Sequence, residues 1–158
     1  MHSRTRILLF LLLLGYTPGF YCHAQEATTE KPNPTSMEPI LEKSANLLLS
    51  IEEQGYEVVH LEVDILKTVR YTYRSLYPDY EYGLLIFGDY RLKSVQLKVY
   101  QNLDGAWAPI TGLKTEQQNG NTLVTFKPQA YGKYRFEWIG EAFVAEQTAG
   151  HAGLLIFH

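Results

Sequence analysis

Three hydrophobic periodicities follow one another along this chain. Residues 7–14 form an unbroken apolar run that Gly15 and Pro18 interrupt. Residues 36–55 then place Ile40, Ser44, Leu47 and Ile51 at helical spacing, with Leu41, Ala45 and Leu48 beside them. From Tyr56 onward the period falls to two. Leu61, Val63 and Ile65 alternate with Glu62 and Asp64; Val69, Tyr71 and Tyr73 alternate with Arg70, Thr72 and Arg74. Residues 82–87 are continuously apolar, as in a strand covered on both faces. Val95, Leu97 and Val99, then residues 107–113, residues 123–126, the alternation of Tyr134, Phe136 and Trp138, and residues 153–157 supply the rest. Turn signals separate them: Asn102 to Gly105, a polar loop with the hairpin dipeptide Asn119-Gly120, and the stop at Pro128. About eight short strands at intervals near ten residues predict an all-β chain, a jelly-roll-like β-sandwich preceded by one N-terminal amphipathic helix.

The helix has its own boundary signals. Ser36 is the expected N-cap, Pro39 suits the first turn, where no amide donor is needed, and Glu38 and Glu42 favour the positive end of the dipole. Gly55 is the expected left-handed stop. The division that follows is a signal peptide over 1–24, a disordered tether over 25–36, an amphipathic helix over 37–55 and a β-sandwich domain over 56–158.

The leader carries Arg4 and Arg6, the short apolar run and Cys22-His23-Ala24 before Gln25, the three-part layout of a secretory signal peptide. Eight apolar residues are too few to span a bilayer, which takes about 20. Bulky Phe20-Tyr21 ahead of Cys22 fits ordinary cleavage better than lipid attachment. Export to the periplasm or the external medium is expected, with no stable membrane insertion after cleavage. Cleavage would remove the single cysteine, and with it thiol catalysis, zinc–cysteine sites and redox switching. It would also move the net charge from −3 to about −5, with no basic stripe for nucleic acid. The Thr/Glu/Pro-rich stretch after it has too little apolar surface to fold.

Candidate chemistry is sparse. His60, His151 and His158 are isolated in sequence, and His151 and His158 would face opposite sides of one strand, so no metal site and no cofactor are expected. No Gly-x-Ser-x-Gly elbow accompanies Ser50, Ser75 or Ser94. A carboxylate pair could be built from Asp79 and Glu81 with Asp89 or Asp104 across a cleft, although Asp89 and Asp104-Gly105 read as turn residues. No catalytic residue is assigned. Tyrosine is the local anomaly: Tyr71, Tyr73, Tyr77, Tyr80 and Tyr82 fall around Pro78-Asp79. Tyr71 and Tyr73 share a face with Val69, which points to the core, while Tyr77 and Tyr80 flank the turn and are the surface candidates. Trp107, just after a turn, is the third candidate for ligand binding. Tyrosine offers a rigid apolar face with a polar tip, suited to stacking on sugar rings or anchoring a peptide.

Residues 132–138, Gly-Lys-Tyr-Arg-Phe-Glu-Trp, resemble the Gly-x-Tyr-x-apolar-x-apolar strand of bacterial pre-peptidase C-terminal domains. Residues 95–105, a strand followed by Asn-x-Asp-Gly, are similar to the middle strand and turn of that family, and residues 150–155 resemble the closing strand of related small secreted proteins. The resemblance implies a jelly-roll sandwich serving as a non-catalytic appendage of exported enzymes. Members of that family often carry an Asp-x-Asp-Leu pattern at the start of the middle strand, and some relatives bind calcium; Lys93-Ser94-Val95-Gln96-Leu97 stands there instead, so calcium is not expected at that position. The resulting expectation is an exported binding or accessory module that recognises a partner protein or a glycan. The alternatives are a secreted hydrolase using loop carboxylates, or a structural subunit of an envelope assembly docking through the helix.

Overall fold

The computed structural model describes residues 36–144 and 147–158. The expected signal peptide and, but for Ser36, the tether lie outside them. Helix α1 (Glu38–Glu53) precedes nine strands: β1 (Val58–Leu66), β2 (Val69–Leu76), β3 (Tyr82–Gly88), β4 (Leu92–Leu103), β5 (Ala106–Pro109), β6 (Lys114–Gln118), β7 (Asn121–Phe126), β8 (Gly132–Phe143) and β9 (Gly150–Phe157). One antiparallel sheet runs β1-β9-β3-β7-β6 and the other β2-β8-β4-β5. Among the described strands, only β4–β5 and β6–β7 are local hairpins; every other connection links one sheet to the other, giving an all-β sandwich of jelly-roll-like character.

Both hairpins turn where the dipeptides say they should. Asp104 and Gly105 have φ of 52° and 92°, and Asn119 and Gly120 have φ of 52° and 75°, the left-handed pair of a type I′ turn. Asn102 Oδ1 accepts the Gly105 amide at 3.0 Å and locks the first of them. The second recruits a strand that sequence periodicity does not show. β6, with sequence KTEQQ, has no apolar face, yet Gln118 pairs with Asn121 and the ladder propagates back to Lys114 and Thr125. The apolar stretch expected over 107–113 is correspondingly shorter as a strand, ending at Pro109, whose missing amide is tolerated on an edge.

The inter-sheet core gathers Leu84, Ile86, Val95, Val99, Val124, Phe136, Trp138, Leu154 and Ile156 among others. Tyr134, the tyrosine of the Gly-x-Tyr motif, is fully buried, and its hydroxyl donates to the Ala130 carbonyl at 2.8 Å, fixing the corner that leads into β8. Burial raises its pKa.

A second apolar layer lies on the other face of the five-stranded sheet. There Leu85, Phe87, Leu155 and Phe157 are buried, which explains why β3 and β9 read as continuous apolar runs. Glycines make room for the rings: Gly83 pairs with Phe157, and Phe87 with Gly153. A Cβ at Gly83 would stand 2.3 Å from Phe157 Cζ, and one at Gly153 would stand 2.4 Å from Phe87 Cζ. Helix α1 lies on β9 and β1 with Ile40, Ser44, Leu47 and Ile51 buried, the four positions that its periodicity singles out. Burying each large aliphatic side chain stabilises by about 1.5–3 kcal/mol. The helix starts one residue later than expected: Met37, not Ser36, is the N-cap, and it makes no side-chain capping bond. Pro39 and Glu38 sit in the first turn. Gly55, at φ 81°, closes a Schellman motif in which the Tyr56 amide reaches the Ile51 carbonyl and the Gly55 amide the Glu52 carbonyl. No described helix is long and apolar enough to cross a membrane.

Candidate functional site

β1 and β2 are the neighbouring edges of the two sheets, and their alternation is reversed from a simple apolar-inward reading. Val69, Tyr71 and Tyr73 are 42%, 45% and 50% exposed, so the expectation that Tyr71 and Tyr73 belong to the core is overturned. Leu61 and Ile65 also face outward, whereas Glu62, Asp64, Arg70 and Thr72 form a polar network along the flank. Arg70 bonds Asp64 and also reaches Glu62 at 3.5 Å, and Thr72 Oγ1 donates to Glu62 Oε2 at 2.9 Å. Charges on edge strands of this kind blunt sheet edges against pairing with other chains. They also leave the sandwich end beyond them to be filled by something else.

What fills it is aromatic. Tyr77 and Tyr80, from the β2–β3 connection, line a cleft of about 260 Å³ together with His60, Arg74, buried Tyr82 and His158. Val59, Leu76 and Ile156 supply its apolar lining. The connection is held by the Tyr77 amide, which donates to the Tyr82 hydroxyl at 3.2 Å. Tyr80 stacks on His158 with centroids 4.1 Å apart, and Tyr82 meets the same imidazole edge-on at 5.7 Å. Tyr131, from the β7–β8 connection, lies 4.8 Å from the Tyr77 ring. Both Tyr77 and Tyr80 remain about half exposed, at 52% and 45%. Surface placement of these two agrees with the reading from sequence.

The polar side of the cleft is built from His60 and Arg74. Arg74 donates to the Tyr73 carbonyl at 3.0 Å and to His60 Nδ1 at 2.7 Å, while His60 Nε2 sits 3.2 Å from Glu62 Oε2. That geometry suits a neutral imidazole, accepting at Nδ1 and donating at Nε2. Burial, followed by the Arg74 charge, lowers the His60 pKa, and these outweigh the opposing Glu62 contact.

Trp107 does not join this cleft. It lies on β5, half-buried, with its ring 5.5 Å from Tyr73 and 5.2 Å from the Arg135 guanidinium. Arg135 also contacts the rings of Tyr71 at 5.2 Å and Tyr100 at 4.2 Å. These rings on the outer face of the four-stranded sheet are thus already occupied by a cation of the chain itself, and each such contact contributes about 0.5–1 kcal/mol at an exposed site. The three candidates therefore divide, with Tyr77 and Tyr80 in one cleft and Trp107 in a separate cation–aromatic cluster.

Asp89 does not converge with Asp79 and Glu81. Asp89 lies past the end of β3, whereas Asp79 and Glu81 precede its start; seven residues of strand at about 3.3 Å each separate them by roughly 20 Å. Paired glycosidase carboxylates stand about 5–9.5 Å apart. Nor is Asp89 only a turn residue. Its carbonyl closes the turn to the Leu92 amide at 3.1 Å, but its side chain is fully buried. The carboxylate accepts from the Arg91 amide at 2.9 Å, from Arg91 Nε at 2.8 Å and from the His151 amide at 3.1 Å. Burial pushes its pKa up, but the hydrogen bonds from Arg91 and His151 outweigh this and hold it below its ordinary value. His151 is buried within β9 beside this pair. Lys43 of the helix donates to the Gly88 carbonyl next door at 2.7 Å, and burial lowers its pKa. These hydrogen bonds tie the β3–β4 turn to β9. A second depression of about 370 Å³ lies beside them, lined by Lys43, Tyr90, Lys93 and Asn119 among others.

Among the described residues no group of three or more His, Cys, Asp or Glu side chains could hold a metal ion. His60 and His158 do share the cleft, but Arg74 occupies the approach to His60. Neither protein-family models nor curated proteins give a match to this chain. Sequence reasoning missed Tyr131, Arg74 and the two cleft histidines. Arg74 lies three residues before Tyr77, but no local signal could have found His60, Tyr131 and His158, which come from three other segments brought there by the sheet crossings.

Proposed function

We propose that this chain is an exported, non-catalytic binding or accessory module that recognises a glycan or a partner protein in the periplasm or outside the cell. Export rests on the leader, and the accessory role on the resemblance to pre-peptidase C-terminal domains. The observation that carries the binding role is the pair of half-exposed tyrosines, Tyr77 and Tyr80, held at the mouth of one preformed cleft. Aromatic rings with a free face and a polar tip contribute contact area at little rotamer cost.

The glycan form of this reading is the better supported. The cleft is smaller than the roughly 300–1,000 Å³ of sites for drug-sized ligands, a size suited to one ring or a terminal sugar unit. Ring faces stand beside hydrogen-bonding groups of His60, Arg74, Ser75 and the tyrosine hydroxyls, the mixture that a hydroxylated ring requires. A glycan array and a pulldown from periplasmic extract test the reading together. Binding by the wild type, weakened at least tenfold in Tyr77→Ala and Tyr80→Ala, supports it. Silence in both experiments refutes it, and ligands held equally well by both variants refute the cleft.

A further inference from the structure

The two arginines on the polar flank of the sandwich are in opposite electrostatic situations. Arg70 is neutralised: its guanidinium bonds Asp64 and reaches Glu62. Arg74, two positions further along the same strand face, pairs with no carboxylate among the described residues. Its two acceptors are a backbone carbonyl and the imidazole of His60, and neither carries charge when that imidazole is neutral. An arginine is charged at every relevant pH, and its planar fork matches a carboxylate with two parallel hydrogen bonds. This one lines the cleft that Tyr77 and Tyr80 flank.

We propose that the ligand of the cleft is an acidic sugar, a uronic-acid unit of a glycan whose carboxylate is taken by Arg74 while its ring packs on Tyr77 or Tyr80. This rests on the glycan form of the function proposed above. The nearby Glu62 does not compete for Arg74, because its oxygens are committed to His60, Thr72 and Arg70. Nor does a general attraction for polyanions account for such a preference. The chain carries a net charge of −3, so selectivity for an acid over its neutral counterpart has to arise locally.

The test is calorimetric titration of the full chain with α-1,4-linked trigalacturonic acid and, separately, with its fully methyl-esterified form, which keeps the rings and removes the charge. The acid is expected to bind at least tenfold more tightly than the ester, with the preference shrinking as salt is raised. Arg74→Gln erases the preference and Arg74→Lys restores part of it, while Tyr77→Ala and Tyr80→Ala weaken acid and ester by similar factors. Arg74 is exposed, and unchanged circular dichroism of its variants confirms that the fold is intact. If the ester binds as tightly as the acid, or if the preference survives Arg74→Gln, the acidic-sugar inference fails and the glycan reading stands. If neither sugar binds, the inference is overturned; array and pulldown then decide separately whether the binding reading survives.

Discussion

Replacing Asp89 by alanine is the most informative single perturbation of this fold. The Asp89 side chain is 0% exposed and that of Arg91 4% exposed, so the substitution removes a counter-charge from a guanidinium that is almost wholly buried. It also withdraws acceptors from the Arg91 and His151 amides. Breaking a buried ion pair from one side costs about 3–5 kcal/mol, far more than the net worth of the intact pair. At roughly 4 °C per kcal/mol for a domain of this size, Tm falls by roughly 12–20 °C. Asp89→Asn keeps the shape and one acceptor, and loses about 1.5–3 kcal/mol, the range for a hydrogen bond to a charged group. Urea unfolding at pH 7 measures both, with m-values compared to establish that the native state is unchanged. The native carboxyl titrates below its unfolded counterpart, near 3.9. Its contribution is therefore fully present above about pH 4 and is lost as pH falls through the native value. The wild type consequently loses more stability than Asp89→Asn on acidification through that window. A loss below about 1 kcal/mol in Asp89→Ala, or parallel acid profiles, would refute this account of the cluster.

Other expectations follow from the packing and the titrating groups. Gly153→Ala drives a Cβ into the Phe87 ring and destabilises by about 1–3 kcal/mol in chemical denaturation, and Phe87→Leu in the same chain recovers part of it. Ile51→Ala empties a fully buried position under the helix and costs about 2–5 kcal/mol, while Leu49→Ala, on its exposed side, stays within about 0.5 kcal/mol. Gly120→Ala strains a residue at φ 75° and costs about 1 kcal/mol by thermal melting. His60 titrates below its ordinary value when folded, so its stabilising contribution is complete above about pH 6.5 and declines as pH falls through the native pKa. Urea midpoints at pH 7.5 and pH 5 therefore differ more for the wild type than for His60→Gln.

Local chemistry determined the parts of this fold that were legible from sequence. The dipeptides Asp104-Gly105 and Asn119-Gly120 require left-handed backbone, and Ile40, Ser44, Leu47 and Ile51 recur at 3.6 residues, so turns and helix face could be read directly. Strand orientation in β1 and β2 could not. Their alternation is clear, but which face turns inward depends on a flank where Arg70 finds Asp64 and Glu62, a pairing between strands of different sheets. β6 was invisible because its order comes from β7 through the hairpin and not from its own side chains. Asp89 looked like a turn residue and is one; its burial depends on His151, 62 residues away. The cleft was half legible. Tyr77 and Tyr80 stood out beside their turn, with Arg74 three residues before the first of them, but His60, Tyr131 and His158 reach them through the topology alone.

The reciprocal glycine–phenylalanine pairs on β3 and β9 bear on how this sequence can drift. At either pair, enlarging the glycine first passes through a steric clash, and shrinking the ring first passes through a void beneath the helix. Both single steps lose stability even where the double exchange would be tolerated, which is sign epistasis written into a strand register. Each pair is therefore expected to be inherited as a unit, and the two pairs, which bracket Leu85 and Leu155, restrain the register of β3 against β9 from both ends. A one-residue slip would bring each ring opposite a side chain, so these four positions carry the alignment of the two central strands as a two-part key.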